Sequence, residues 1–439
     1  MDEISQMDNS PLSEVVTAQG KGLPLGITSI CSANEYVLDA AFTHAQANDL
    51  PLLIESTCNQ VNQYGGYTGQ TPSDFMRTLR RLAEKHQFSM SRLVVGGDHL
   101  GPNPWHYETA DKAMEKSRVL VRDYVRAGYT KIHLDSSMAC ADDRDHPLPT
   151  ELIAARAAEL ACTAEETYGD IDTVVPRPVY VIGTEVPPPG GVHDEEETLA
   201  VTTAQAAEET ISATKEAFKR LGLEEAWERV TAVVVQPGVE YGNESLYDYD
   251  AAAAASLSRY IEGMEGFVYE AHSTDYQTRI ALRELVRDHF AILKVGPALT
   301  FAFREAVFAL ADIEEAWLNG RSGITTSNVR EVVDRAMLQN PVYWQPYYPG
   351  DERQQHFARQ YSLSDRIRYY WPVPEVREAL DRLLSNLCGA AIPLALLSQY
   401  LPIQFQAVRS GRLQNQPRQH IQYGITAVLD EYARACGRL

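Results

Sequence analysis

The chain has 439 residues, 44% of them hydrophobic, enough for a sizeable core in one barrel with an extension or in two domains. Its formal charge of −21, with no Lys/Arg-rich run, excludes nucleic acid and anionic membrane as general partners; any phosphate must be bound locally, by backbone N–H groups and one or two basic side chains. The six cysteines are scattered without a CxxC, the N-terminus MDEISQMDNSPLSE has no secretory pattern, and no apolar run approaches the roughly 18 residues of a membrane span, so a cytoplasmic chain with free thiols is expected.

Short apolar runs alternate with longer amphipathic stretches. LPLGITSICS precedes EYVLDAAFTHAQAND, in which Val37, Leu38, Ala41 and Phe42 share a helical face. PLLIEST precedes TPSDFMRTLRRLAEKH, opened by a Thr-Pro-Ser-Asp cap. RLVVGGDHL precedes ADKAMEKSRVLVRDYVRAG, with Gly128 as its stop. KIHLDSS, PVYVIGTEV, TAVVVQPGV, FVYEAHS and FAILKVGPALT continue the series, each followed by a helical stretch. Eight such units lie between Leu23 and Leu318, and strands with little polar alternation suit a parallel sheet covered on both faces. The expected fold is a (β/α)8 TIM barrel over 23–318, preceded by an N-terminal segment (1–22) and followed by a helical C-terminal extension (319–439) packed on the barrel. Within the extension, NPVYWQPYYPGDERQQ reads as an ordered loop and SDRIRYYW as a helix.

In such a barrel the chemistry sits at the C-terminal ends of the strands. Here those ends carry Glu55, Asp98-His99, Asp135, Glu185, Gln236 with Glu240, Glu270-Ala271-His272, and Lys294 with Gly296. His99 and His272 are the candidate metal ligands; the alternative is two histidines gripping substrate hydroxyls. Gln236, Glu240 and Glu185 compete for the third position, and His133 reads as a deeper supporting partner. Asp98 is a candidate general acid/base beside the metal, or only an orienting group for His99, with Asp135, Glu185 and Glu270 as alternative carboxylates. Lys294 suits an ion pair or a substrate contact better than a Schiff base, because nearby carboxylates raise its pKa. Ser273, Thr274 and Asp275 after strand seven, and Gly296 and Thr300 after strand eight, suit a phosphate, with Arg366 and Arg368 able to add charge.

GGDHLGPNPW, HLDSSM, IGTEVPPPGG, VVVQPGVEYG, EAHSTDYQT, ILKVGPALTFAFREA and YSLSDRIRYYW make the chain resemble the GatZ/KbaZ family, the Z-type subunits linked to D-tagatose-1,6-bisphosphate aldolase. The resemblance runs from about Gly26 into the C-terminal helices. It implies kinship with class II, zinc-dependent aldolases, in which Asp98-His99 would match the proton carrier and a zinc ligand, and His272-Ser273-Thr274 a second ligand and the phosphate loop. The aldolases' HGGSG-like glycines and middle zinc histidine are missing; Gln236 and Glu240 stand in that segment. Some members of the family are non-catalytic partners of a Y-type aldolase, some are named tagatose-6-phosphate kinases, and some relatives are metal-dependent C4 epimerases. No P-loop supports a kinase. The expectation is a 4-epimerase of D-tagatose 6-phosphate and D-fructose 6-phosphate using zinc, manganese or nickel, able to form a homo-oligomer; the alternative is a stabilising aldolase subunit.

Overall fold

The computed structural model describes residues 10–145, 147–171, 175–183 and 199–439. Eight parallel strands close into a barrel in sequential order: β1 (Ile27–Cys31), β2 (Leu52–Thr57), β3 (Leu93–Leu100), β4 (Lys131–Leu134), β5 (Val179–Gly183), β6 (Val230–Val234), β7 (Val268–Ala271) and β8 (Phe290–Val295), with β8 paired back to β1. Each strand is an apolar run flanked by turn residues and covered by helices outside, as the expected TIM barrel requires. All eight residues of β3 are buried.

Several helices start where a side-chain oxygen satisfies their free N–H groups. Thr71 and Asp74 form a capping box on helix Pro72–Lys85, and Asn34 caps Glu35–Ala47. Gly128 ends Ala110–Ala127 at φ 97°, where a Cβ would be strained.

The floor is closed by a helix the sequence reading left unassigned, Pro11–Gly20, capped by the Ser10 hydroxyl. Its Leu12 and Val15 pack with Ile27, Leu53, Val94, Val181, Val268 and Ile292 as a separate apolar cluster inside the barrel. Helix Pro417–Ala435 packs on helices Glu35–Ala47, Arg279–Arg287 and Pro297–Leu318. The outer core runs without a break from the barrel into the extension.

The extension differs in detail from expectation. The DERQQ part of the expected loop begins helix Glu352–Tyr361, because Asp351 and Gln354 form a capping box. SDRIRYYW is only a 3-10 turn at Arg366–Tyr369. Among the described residues, no helix is long and apolar enough to cross a membrane.

Candidate metal centre at the barrel mouth

Inward-facing positions along the strands pass from apolar to charged. Leu53 is followed by Glu55, Val268 by Glu270, and Ile292 by Lys294. At that level the barrel holds a buried charge layer. Lys131 Nζ lies 2.8 Å from Glu55 Oε1 and 2.7 Å from Glu270 Oε2. Lys294 Nζ lies 2.9 Å from Glu55 Oε2, 2.8 Å from Asp98 Oδ1 and 3.3 Å from Glu270 Oε1. Ser29 donates to Glu55 at 2.5 Å. Gly96 is required here: a Cβ on it would sit 2.7 Å from Glu55 Cγ, so only glycine lets that side chain lie across β3.

One step toward the mouth, Asp98, His99, His133 and His272 place a ligand atom each within 4.8 Å of one another, all buried. The His99 ring lies 5.0 Å from that of His133 and 4.8 Å from that of His272. Each imidazole is oriented from outside the group. His99 Nδ1 bonds Asp135 Oδ2 at 2.8 Å, which turns Nε2 toward Asp98. His272 Nε2 bonds Glu270 Oε1 at 3.0 Å. His133 Nε2 donates to the Gly183 carbonyl at 3.2 Å, while its Nδ1 accepts the His99 backbone N–H and lies 2.9 Å from Asp98 Oδ1. Such outer partners are what fix the rings of metal-binding histidines. His99 and Ser273 are held at φ 50° and 52°, left-handed conformations uncommon for such residues.

The electrostatics fit a divalent cation. Four buried carboxylates (Glu55, Asp98, Asp135, Glu270) face two ammonium groups (Lys131, Lys294), leaving a net −2 while the imidazoles are neutral. Burial opposes charge on Asp98, yet His99 and Lys294 hold it well below the usual carboxylate range. Burial likewise opposes charge on Asp135, and the hydrogen bond and charge of His99, with His133 and Ser137, together outweigh it and lower the carboxyl. His99 is raised despite burial because Asp98 and Asp135 both favour positive charge there. His272 is pushed down to about 3 by burial, which leaves the neutral imidazole a metal needs. His133 Nδ1, 2.9 Å from Asp98 Oδ1, is within hydrogen-bond reach and adds to the pull that keeps Asp98 ionised. The neighbouring Glu55, Asp98 and Glu270 oxygens also cluster, but the Lys131 and Lys294 ammonium groups already bond them.

The cluster opens into a pocket of about 130 Å³ whose wall includes Asp98, His99, His272, Ser273, Asp275, Lys294, Gly296, Tyr67, Arg368 and Tyr369. Here the structure redistributes several expected roles. His133, expected as a supporting partner, stands in the cluster because β4 turns it inward. Gln236 spends its side-chain carbonyl on the N–H groups of Gly238 and Val239. Glu240 accepts from Tyr241, bonds Ser273, and is pushed up to about 7 by burial; it lies outside the group of four. Glu185 lies outside the described residues. Glu55 is sealed below the pocket between the two lysines, away from any substrate.

The expected phosphate loop is also altered. Asp275 Oδ1 accepts the N–H groups of Gly296 at 3.0 Å and Ala298 at 2.7 Å, so a carboxylate fills the amide nest at the start of helix Pro297–Leu318. Burial raises Asp275 to about 6 against the pull of those amides. Thr274 donates to the Lys294 carbonyl, and Thr300 to Asp365. Arg366 is buried against Tyr347 and donates to the Tyr343 carbonyl, while Arg368 reaches the pocket wall. Lys131 was missed by the sequence reading; its signal was a lysine opening a strand, two residues before His133.

Residues 12–437 match the family model described as D-tagatose-1,6-bisphosphate aldolase subunit GatZ/KbaZ-like. A crystal structure described as a probable tagatose 6 phosphate kinase from Sinorhizobium meliloti 1021 is similar at 46% identity and TM-score 0.85, covering 94% of this chain and 100% of that one. A glycerol complex of fructuronate-tagaturonate epimerase UxaE from Cohnella laeviribosi shares the fold at 10% identity and TM-score 0.50, over 94% of this chain and 82% of that one.

Proposed function

We propose that this chain, which belongs to the D-tagatose-1,6-bisphosphate aldolase subunit GatZ/KbaZ-like family, is a cytoplasmic, divalent-metal-dependent enzyme that interconverts D-tagatose 6-phosphate and D-fructose 6-phosphate by inversion at C4. The observation that carries the reading is the buried group Asp98, His99, His133 and His272 opening into one pocket. His99 and His272 would hold the cation (zinc, manganese or nickel) beside Asp98, with His133 supporting the group, and the cation when bound supplies Lewis-acid polarisation of the ketose carbonyl and adjacent hydroxyl.

Asp98 is the carboxylate placed to move a proton, since it is anionic at neutral pH and lines the pocket. In a retro-aldol route Asp98 takes the C4 hydroxyl proton as the C3–C4 bond breaks. The bond pair stays on the C1–C3 fragment as an enediolate, and C4 becomes an aldehyde. After the aldehyde turns its other face, C3–C4 re-forms and Asp98 returns the proton to the C4 oxygen. Lys294, 2.8 Å from Asp98, offsets negative charge during this exchange. Asp135 and Glu270 keep His99 and His272 in place. The kinase description of the Sinorhizobium protein finds no P-loop counterpart in this sequence.

The test is incubation of the purified protein with D-tagatose 6-phosphate and zinc, manganese or nickel. D-fructose 6-phosphate should form, and a chelator should stop it; no product with any of the three metals sinks the reading. The family's description as an aldolase subunit favours a second reading, a stabilising partner of a Y-type aldolase. Leu394 (49% exposed) and Ile403 (64% exposed) would then lie at the contact. Co-purification with such an aldolase, and its loss of stability without this chain, would favour that role.

A further inference from the structure

We infer that the pocket recognises a terminal phosphate through Arg368 of the C-terminal extension, together with the Tyr67 and Tyr369 hydroxyls, and not through the amides after β8. This rests on the sugar-phosphate reading and names the part of the site that reads the phosphate.

Two observations carry it. The first is the occupied nest: Asp275 already takes the Gly296 and Ala298 N–H groups. A phosphate there would have to expel a carboxylate from its hydrogen bonds or sit against its charge. The second is the Arg368 guanidinium, which lines the same pocket. Among the described residues, no carboxylate oxygen lies within 4.0 Å of the Arg368 guanidinium. Its donors go only to neutral oxygens: the Ser364 and Asp365 carbonyls and, at 3.2 Å, the Tyr369 hydroxyl. Four buried arginines are ion-paired, Arg304 with Asp365, Arg359 with Asp334, Arg229 with Glu165 and Arg156 with Asp143. Asp365 and Asp275 act on the Arg368 guanidinium only from beyond contact distance, so its donors are open to a direct anion partner, and its fork geometry suits phosphate.

The surroundings support this. The Arg368 guanidinium lies 4.6 Å from the Tyr369 ring, and Tyr67 packs edge-on against the same ring at 4.5 Å. All three line the pocket that also exposes Asp98, His99 and His272. A short chain with its carbonyl at the imidazoles and its phosphate at Arg368 would fill that pocket from barrel to extension. The extension then supplies a cation at the pocket wall, where an acidic chain can bind an anion locally.

Isothermal titration of the full-length, zinc-loaded protein with D-glucitol 6-phosphate and D-glucitol tests this, because neither has a ketone and neither turns over. The wild type should prefer the phosphate. Arg368→Met should weaken D-glucitol 6-phosphate by roughly 30-fold or more, with D-glucitol within about 3-fold, and Arg368→Lys should recover part of the loss. Thermal melts check folding; if R368M does not fold, the R368K loss on the phosphate alone carries the result. Equal weakening of both probes, an unchanged phosphate affinity, or a wild type indifferent to the phosphate overturns the assignment. Selective loss in R368M with no turnover of D-tagatose 6-phosphate would keep the subsite and discard the epimerase reading.

Discussion

The two ends of this barrel solve opposite problems with the same strands. Toward the floor, Leu53, Val94, Val268 and Ile292 meet Leu12 and Val15 in a dry cluster that needs no polar partner. Two residues further along β2, β7 and β8 the same inward face carries Glu55, Glu270 and Lys294, and their burial is tolerable only because each charge has a partner. The floor holds the barrel closed. The mouth accepts buried charge in order to aim imidazoles and carboxylates at one point. Perturbing the mouth should therefore remove chemistry, perturbing the layer between should remove stability, and perturbing the floor should remove some stability and no chemistry.

The largest effect is expected at the imidazoles. His99→Ala or His272→Ala should abolish bound metal, measured by mass spectrometry of the purified protein, and lower turnover by roughly 10³-fold or more, with secondary structure retained. Next comes Lys131→Met, which strands Glu55 and Glu270 without one of their two cations. It should cost about 3–5 kcal/mol in denaturant unfolding, and adding Glu55→Gln should recover part of that. At the floor, Leu53→Ala should cost about 2–4 kcal/mol and leave kcat/KM unchanged. A floor substitution that altered turnover would break the comparison.

The smallest effect is a pH response outside the barrel. His420 is buried and pushed down to about 4, below the unfolded imidazole. The neutral form is what folds, so stability is full above about pH 6.5 and falls as pH drops from there toward 4. His420→Gln should flatten that fall, by about 2 kcal/mol at pH 5, in pH-dependent thermal melts.

Much of this was legible in the chain because apolar runs and helix stops repeat eight times, and strand ends concentrate polar groups. Asp98, His99 and His272 follow their strands directly and needed no tertiary knowledge to single out. Lys131 and His133 were harder. A lysine at the first position of β4 reads like a strand start at the surface, and only barrel closure turns it inward to Glu55 and Glu270. His133 shares that inward face, so its place beside His99 depends on the stagger of β3 against β4, which no local pattern encodes. Helix Pro11–Gly20 hid in a polar, acidic N-terminus, although Ser10-Pro11 is a good helix start. The choice of Arg368 over Arg366 depends on the 3-10 turn that follows Asp365 at φ 48°.

The central claim is that the mouth holds one divalent cation. A crystal structure of the zinc-loaded protein with anomalous data at the zinc edge tests it most directly. A single strong peak should lie between His99 and His272, beside Asp98 and His133. A structure without that peak, or with the ion elsewhere and His99 and His272 bonded only to protein groups, would contradict it.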